Sequence, residues 1–113
     1  MEDCLFCKII NGEIPSTKLY EDDMVYVFED IAPEAPVHFL IVPKKHIKDA
    51  DELEVEDQEL LGHIFLVAQK LCKEKNLKTG YRIVNNCKED GGQTVDHLHF
   101  HVLGGRSLQW PPG

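Results

Sequence analysis

Residues 97–103 read His-Leu-His-Phe-His-Val-Leu, three histidines alternating with apolar residues ahead of Gly104 and Gly105. Strict alternation predicts a β-strand with His97, His99 and His101 on one face and Leu98, Phe100 and Val102 anchored in the core. Successive imidazoles on such a face stand about 6.5–7 Å apart, from a rise of about 3.3 Å per residue. Three kinds of chemistry suit such a row. The histidines can be partly buried and simply hydrogen-bonded. They can hold a catalytic metal such as zinc. Or one can attack phosphorus while a protonated neighbour steadies the phosphoryl oxygens or the leaving group, since imidazole is nucleophilic near neutral pH.

The surroundings favour the third. A turn over residues 87–92 brings Asn86 and the Asp90-Gly91-Gly92-Gln93-Thr94 segment close to the histidines. Glycines there let backbone N–H groups approach an anion, and Asn86, Gln93 and Thr94 can bond phosphoryl oxygens. A catalytic zinc would want a carboxylate base on the same face, but Asp96 points the other way on a regular strand. A second group is Cys4-x-x-Cys7, a spacing that is redox-active, zinc-binding or incidental. The thioredoxin-like βαβ pattern that redox chemistry wants is missing. Zinc needs two more ligands, and His46, after Lys44 and Lys45, is a candidate.

These residues need a scaffold. One hundred and thirteen residues make one expected domain over 1–113, with a C-terminal arm from about 104. Asp3 is the expected N-cap of a short amphipathic helix ending at Ile10, before Asn11-Gly12. Leu19 to Phe28 reads as two strands around an acidic turn, and Asp30 to Pro36 as a loop with prolines. His38 to Val42 is apolar on both faces, so it belongs in the middle of a sheet. Seven acidic residues between Asp49 and Glu59 precede an apolar helix over Leu60–Cys72, with Lys70, Lys73 and Lys75 near its end. That helix is apolar most of the way round, which predicts a second buried side: against another subunit in the favoured reading, or within a single monomer in the alternative one. Tyr81 to Asn86 is a strand that forms a hairpin with the histidine strand. The expected fold class is α+β: about five mainly antiparallel strands, one long helix and a short N-terminal one.

Charge and cysteines narrow the functions. A formal charge of −8 argues against a binder of nucleic acid polymers but not against a single nucleotide in a local pocket. No apolar run is long enough to span a membrane. The acidic start, Met1-Glu2-Asp3-Cys4, is unlike a secretory signal, so a cytoplasmic protein with reduced thiols is expected. Cys72 and Cys87 then read as structural, and His63 as an ordinary helix residue.

The His97–Leu103 stretch resembles the histidine triad family. Phe28-Glu29-Asp30-Ile31, the Pro33-to-His38 segment, Pro43-Lys44-Lys45-His46, Gly91-Gly92-Gln93-Thr94 and the closing Trp110-Pro111-Pro112-Gly113 resemble its Hint branch, the histidine triad nucleotide-binding proteins. The likeness runs from about Cys4 to the last residue. It implies a homodimer with sheets joined across the interface, binding purine nucleoside monophosphate derivatives. It implies hydrolysis of substrates such as adenosine 5′-phosphoramidate through a nucleotidyl-histidine intermediate. By position, His99 would be the nucleophile, with His101 and His38 supporting it. Asn86 and Thr94 would contact the phosphate, with Gln93 nearby. Asp30 would hold the ribose hydroxyls, with Ile31 beside it. Phe6, Ile9 and Phe28 would line the base pocket, and Trp110 would reach the partner's site. Thr94 stands where many members carry serine; it keeps the hydroxyl and adds a methyl group. Some members bind a structural zinc at positions that are here Cys4, Cys7, His46 and His97, leaving catalysis metal-free. Two other functions stay open: a non-enzymatic nucleotide-binding or scaffold protein, and a dinucleoside polyphosphate hydrolase of the same family.

Overall fold

The alternating apolar segments form one five-stranded antiparallel sheet in a computed structural model, which describes residues 3–113. The strands are β1 (Lys18–Glu21), β2 (Val25–Glu29), β3 (Val37–Pro43), β4 (Tyr81–Val84) and β5 (Phe100–Gly104). Their order across the sheet is β1-β2-β3-β5-β4. β3 is bonded on both sides, to β2 and to β5, and six of its seven residues are buried, as its two apolar faces require. Helix α1 (Leu5–Ile10) and helix α2 (Gln58–Glu74) account for why both faces must be apolar. On one face, Leu60, Ile64, Val67, Ala68, Leu71 and Cys72 of α2 pack on Val25, Val27, Phe39, Ile41, Phe100 and Val102. On the other, Phe6 and Ile9 of α1 pack with Tyr26, Phe28, Leu40 and Val42. No helix is long and apolar enough to cross a membrane.

Several boundaries differ from the sequence reading. α1 is capped by Cys4 rather than Asp3: the Cys4 Sγ accepts the Cys7 N–H at 3.3 Å, so a thiol does the work usually given to a carboxylate. α2 begins at Gln58, after two 3₁₀ turns that absorb much of the acidic run. It ends in a Schellman arrangement, with Asn76 at φ 63° and Leu77 N–H donating to the Cys72 carbonyl at 3.0 Å. The turn after β4 closes as a short helical segment, α3 (Lys88–Gly91), stopped by Gly92 at φ 80°. β4 itself ends at Val84, so Asn85 and Asn86 lie outside the ladder.

The largest departure is in the histidine stretch. The regular strand starts only at Phe100, and His97 to His99 precede the ladder. Their backbone finds other partners: His97 N–H donates to the Val95 carbonyl at 2.9 Å and Leu98 N–H to the Ile47 carbonyl at 2.6 Å. The alternation of faces survives, with Leu98 in the large core beside Phe100 and Val102. His63 is also more than a helix residue, for its Nε2 lies 2.5 Å from Asp22 Oδ2 in the β1–β2 turn. Burial works upward on Asp22. Hydrogen bonds from His63, the Met24 and Val25 N–H groups and Tyr20 outweigh it and hold the carboxyl well below its usual range.

Candidate active site and metal centre

The sheet brings His38 on β3 next to the β5 histidines, because Leu40 pairs with His101 and His38 with Leu103. His38 Nε2 lies 2.9 Å from His101 Nδ1, and the rings of His99 and His101 are 5.1 Å apart. Phe6 of α1 stands edge-on to His99, with ring centroids 5.0 Å apart, and to Phe28 at 5.6 Å.

A carbonyl oxygen can only accept, so each imidazole nitrogen facing one must carry a proton. That rule settles which nitrogen is free on each triad histidine. His97 donates from Nε2 to the Pro43 carbonyl at 2.8 Å, so its Nδ1 keeps a lone pair. His99 donates from Nδ1 to the His97 carbonyl at 2.7 Å, so its free nitrogen is Nε2. His38 accepts the Glu34 N–H on Nδ1 at 3.0 Å, so its proton sits on Nε2 and points at His101 Nδ1. His101 in turn is left with Nε2 as its donor. Asp30 Oδ2 lies 3.4 Å from His38 Nε2 and 3.9 Å from His101 Nδ1, and Asp30 Oδ1 accepts the Ala32 N–H at 2.8 Å.

Burial sets the protonation states. It pushes His101 down to about 4, helped by the neighbouring charges of His99 and His38 and opposed by Asp30. It lowers His99 as well. The expected protonated neighbour is therefore a neutral imidazole in the free protein, donating from Nε2.

The second group gathers at the start of α1. Cys4 Sγ is 3.2 Å and Cys7 Sγ 3.6 Å from His97 Nδ1, and His46 Nδ1 lies 3.4 Å from Cys7 Sγ and 3.2 Å from His97 Nδ1. All four ligand atoms fall within 4.8 Å of one another. A zinc tetrahedron with bonds of about 2.0–2.3 Å has edges of about 3.3–3.8 Å, so the spacing fits. The chemistry of the donors fits too. Burial keeps His97 neutral, down to about 4, with its lone pair toward the sulfurs and its other nitrogen oriented by a backbone carbonyl. Burial and the adjacent Cys4 raise the Cys7 thiol, a cost that a bound cation reverses. The four residues could hold a metal.

The other expected residues fall in different places. Phe6, Ile9 and Phe28 are buried together in the smaller core. Asn86 is half-buried, and Gly91 lies beside it at ordinary packing distance. Thr94 is exposed and borders a cavity of about 700 Å³ shared with Cys4, Leu5, His46 and Lys48. Gln93 is not free for a ligand: its amide donates to the Lys48 and Val95 carbonyls at 2.9 Å and accepts the Lys88 N–H at 2.8 Å. Gly92 N–H is likewise used inside its turn, by the Glu89 carbonyl. Ile31 is 98% exposed and Trp110 80% exposed, away from the histidines' own packing. Sequence reasoning missed Asn85. Its Nδ2 donates to the His99 carbonyl at 2.9 Å, holding the backbone of the central histidine where the ladder does not.

Asn85→Ala should therefore cost about 1 kcal/mol of stability, the net worth of one hydrogen bond to a buried carbonyl. Asn86→Ala, whose side chain has no hydrogen-bond partner among the described residues, should leave stability unchanged. Urea denaturation of both variants checks this, and equal losses would put the anchoring role elsewhere.

Comparison with known proteins places this geometry among relatives. A structure described as a HIT family hydrolase from Legionella pneumophila Philadelphia 1 is 50% identical and superposes with a TM-score of 0.96 over 98% of this chain and all of that one. A histidine triad protein from Clostridium difficile is 51% identical, with a TM-score of 0.93 and 96% of each chain covered. A histidine triad nucleotide-binding protein from Candida albicans is 38% identical, with a TM-score of 0.82 over 96% of this chain and 83% of that one. An uncharacterised HIT-like protein from Synechococcus elongatus is 52% identical over 99% of this chain and 98% of its own length. The model of the HIT domain matches residues 11–108, from the end of α1 through the arm that follows β5, and the chain belongs to the HIT domain family.

Proposed function

We propose that the chain is a Hint-type hydrolase that cleaves the P–N bond of purine nucleoside phosphoramidates, such as adenosine 5′-phosphoramidate, with His99 as nucleophile. One observation carries this reading. The Nδ1–H of His99 is committed to a backbone carbonyl, which leaves Nε2 with a lone pair beside a histidine that donates from its own Nε2. His99 Nε2 forms a bond to phosphorus as the P–N bond breaks; the amine leaves with the P–N electron pair and takes up a proton from solvent. Water then displaces His99 and gives up a proton to solvent, releasing the nucleoside monophosphate and restoring the lone pair on His99 Nε2. His101 donates to a phosphoryl oxygen, and the anionic phosphate raises its proton affinity from the low value that burial imposes. His38 holds His101 in register. Asn86 and Thr94 bond the phosphate, Asp30 accepts the ribose hydroxyls, and the base lies against the side of Phe6, Ile9 and Phe28. Gln93 supports that loop from behind rather than touching the ligand.

His99→Ala should remove turnover of adenosine 5′-phosphoramidate while nucleotide affinity survives. Losing a covalent nucleophile should lower kcat by at least about a thousandfold. Turnover retained in that variant would overturn the assignment. The same assay run on a dinucleoside polyphosphate separates this reading from that of a polyphosphate hydrolase. Binding without turnover of either would leave the scaffold reading.

Within the proposal, Cys4, Cys7, His46 and His97 hold a zinc ion that is structural. Four protein donors close the site and leave no position for a substrate. Such an ion clamps α1 to the segment before β5 and neutralises the two thiolates. Protein purified without chelator should contain one zinc per chain, and Cys7→Ser should lose it and melt at a lower temperature. Zinc-free protein that melts with the untreated sample would refute the role.

We also propose a homodimer. In one chain, Phe65 and Leu66 of α2 are 51% and 63% exposed, on a helix whose opposite face is core. β4 is an edge strand with an open ladder on its outer side, which suits joining of two sheets. Trp110, exposed in its own chain, is free to reach a partner's site. Sedimentation should give twice 12.9 kDa, with Leu66→Glu sedimenting as a monomer. A monomeric wild-type protein would remove the proposal.

A further inference from the structure

The hydrogen bonds behind His101 do not stop at His38. Glu34, whose N–H donates to His38 Nδ1 at 3.0 Å, lies in the loop between β2 and β3. Its carbonyl accepts two N–H groups from Arg106, Nε at 3.1 Å and Nη2 at 2.9 Å. Arg106 belongs to the C-terminal arm, two residues beyond β5. The arm reaches the loop because residue 105 is glycine: it sits at φ +92°, and a Cβ there would lie 2.9 Å from Pro36 Cβ. Only the backbone of Glu34 takes part, so the contact is invisible in the residue types of the loop.

The His38–His101 pair has two possible proton arrangements. In the one seen, His38 donates from Nε2 to His101 Nδ1 and His101 keeps its proton on Nε2. In the other, both protons move to the opposite nitrogens. His101 then donates back to His38 and turns a lone pair toward the site, where it repels a phosphoryl oxygen. The Glu34 N–H selects the first, because it needs an acceptor at His38 Nδ1. Asp30 Oδ2, 3.4 Å from His38 Nε2, favours the same arrangement. A hydrogen bond of ordinary net strength biases such a choice by about two- to tenfold.

We propose that Arg106 is a positioning residue: by clamping the Glu34 carbonyl it aims the Glu34 N–H at His38 and keeps the His38–His101 pair in the proton arrangement that leaves His101 a donor. Its kinetic consequence rests on the phosphoramidase reading, but the proton arrangement is a property of the free protein. An arginine suits the task better than a lysine, since its planar fork presents two N–H groups to one carbonyl where an ammonium presents a single point charge.

The test is long-range 1H–15N imidazole spectroscopy of the free, full-length protein. Wild type should show His38 protonated mainly at Nε2. Arg106→Ala should bring in the second arrangement, raising its population about two- to tenfold, with Arg106→Lys in between. Arg82→Ala is the control, because Arg82 Nη2 tethers the same arm through the Gln109 carbonyl at 2.9 Å without touching the loop. It should leave the His38 signal as in wild type. On adenosine 5′-phosphoramidate, Arg106→Ala should lower kcat by no more than about twofold, in step with the donor arrangement lost, while KM holds. An unchanged His38 signal in Arg106→Ala overturns the proposal, and so does an equal shift in Arg82→Ala, which would trace the effect to the arm in general. If the signals shift as described and the wild-type protein turns over no phosphoramidate, the positioning role is supported and the substrate reading alone fails.

Discussion

The site depends on one constraint: a buried imidazole has two nitrogens, and the backbone decides which of them is free. Pro43 ends β3 with a carbonyl aimed at His97 Nε2, and the His97 carbonyl faces His99 Nδ1. In a regular ladder the His97 carbonyl would point sideways at a neighbouring strand and be occupied there. It is available because residues 97–99 lie outside the ladder, whose last pair on that side is Ile41 with Phe100. The irregular entry to β5 is therefore what separates the roles. It leaves Nδ1 free on His97, turned to the cysteines, and Nε2 free on His99.

The two groups are also mechanically joined. Phe6 lies 5.9 Å from the His97 ring and 5.0 Å from His99, on a helix whose first turn is made by Cys4 and Cys7. A helix of six residues has little stability of its own, so its place comes from what it packs on and what ties its end. Whatever fixes the sulfurs to His46 and His97 thereby fixes an aromatic wall beside His99. Cys4 caps that helix and Cys7 lies in its first turn, where fraying would otherwise begin.

Much of this was legible in the sequence, and the misses share a cause. The double apolar character of residues 38–42 identified the central strand, and the alternation at 97–103 identified which histidines share a face. The gathering of Cys4, Cys7 and His46 around His97 matches the set that the family resemblance implied. What escaped was decided by backbone groups, which residue types do not display. The early end of β4 exposes Asn85 to the His99 carbonyl, although Asn85 and Asn86 are the same residue type side by side. Gln93 looked like a ligand contact because amides bind phosphates, yet two nearby carbonyls and an N–H claim it first. Cys4 displaced Asp3 as N-cap because its sulfur was already held at the helix end by His97.

The proposed phosphate ligand would meet an electrostatic environment with little standing positive charge. The chain carries a formal charge of −8, so long-range attraction does not gather phosphates. Nor does a standing positive charge on the triad, since burial pushes His97 and His101 down to about 4 and lowers His99 as well. The site instead offers neutral donors and one lone pair, on His99 Nε2, that is not surrounded by protons. Positive charge can form when an anion arrives and stabilises it, on the histidine whose Nε2 already points outward as a donor. Charging His101 places its second proton on Nδ1, against the Nε2–H of His38, so the pair must rearrange as it charges. The same hydrogen bond that orients His101 in the neutral site thus limits how readily it becomes a cation.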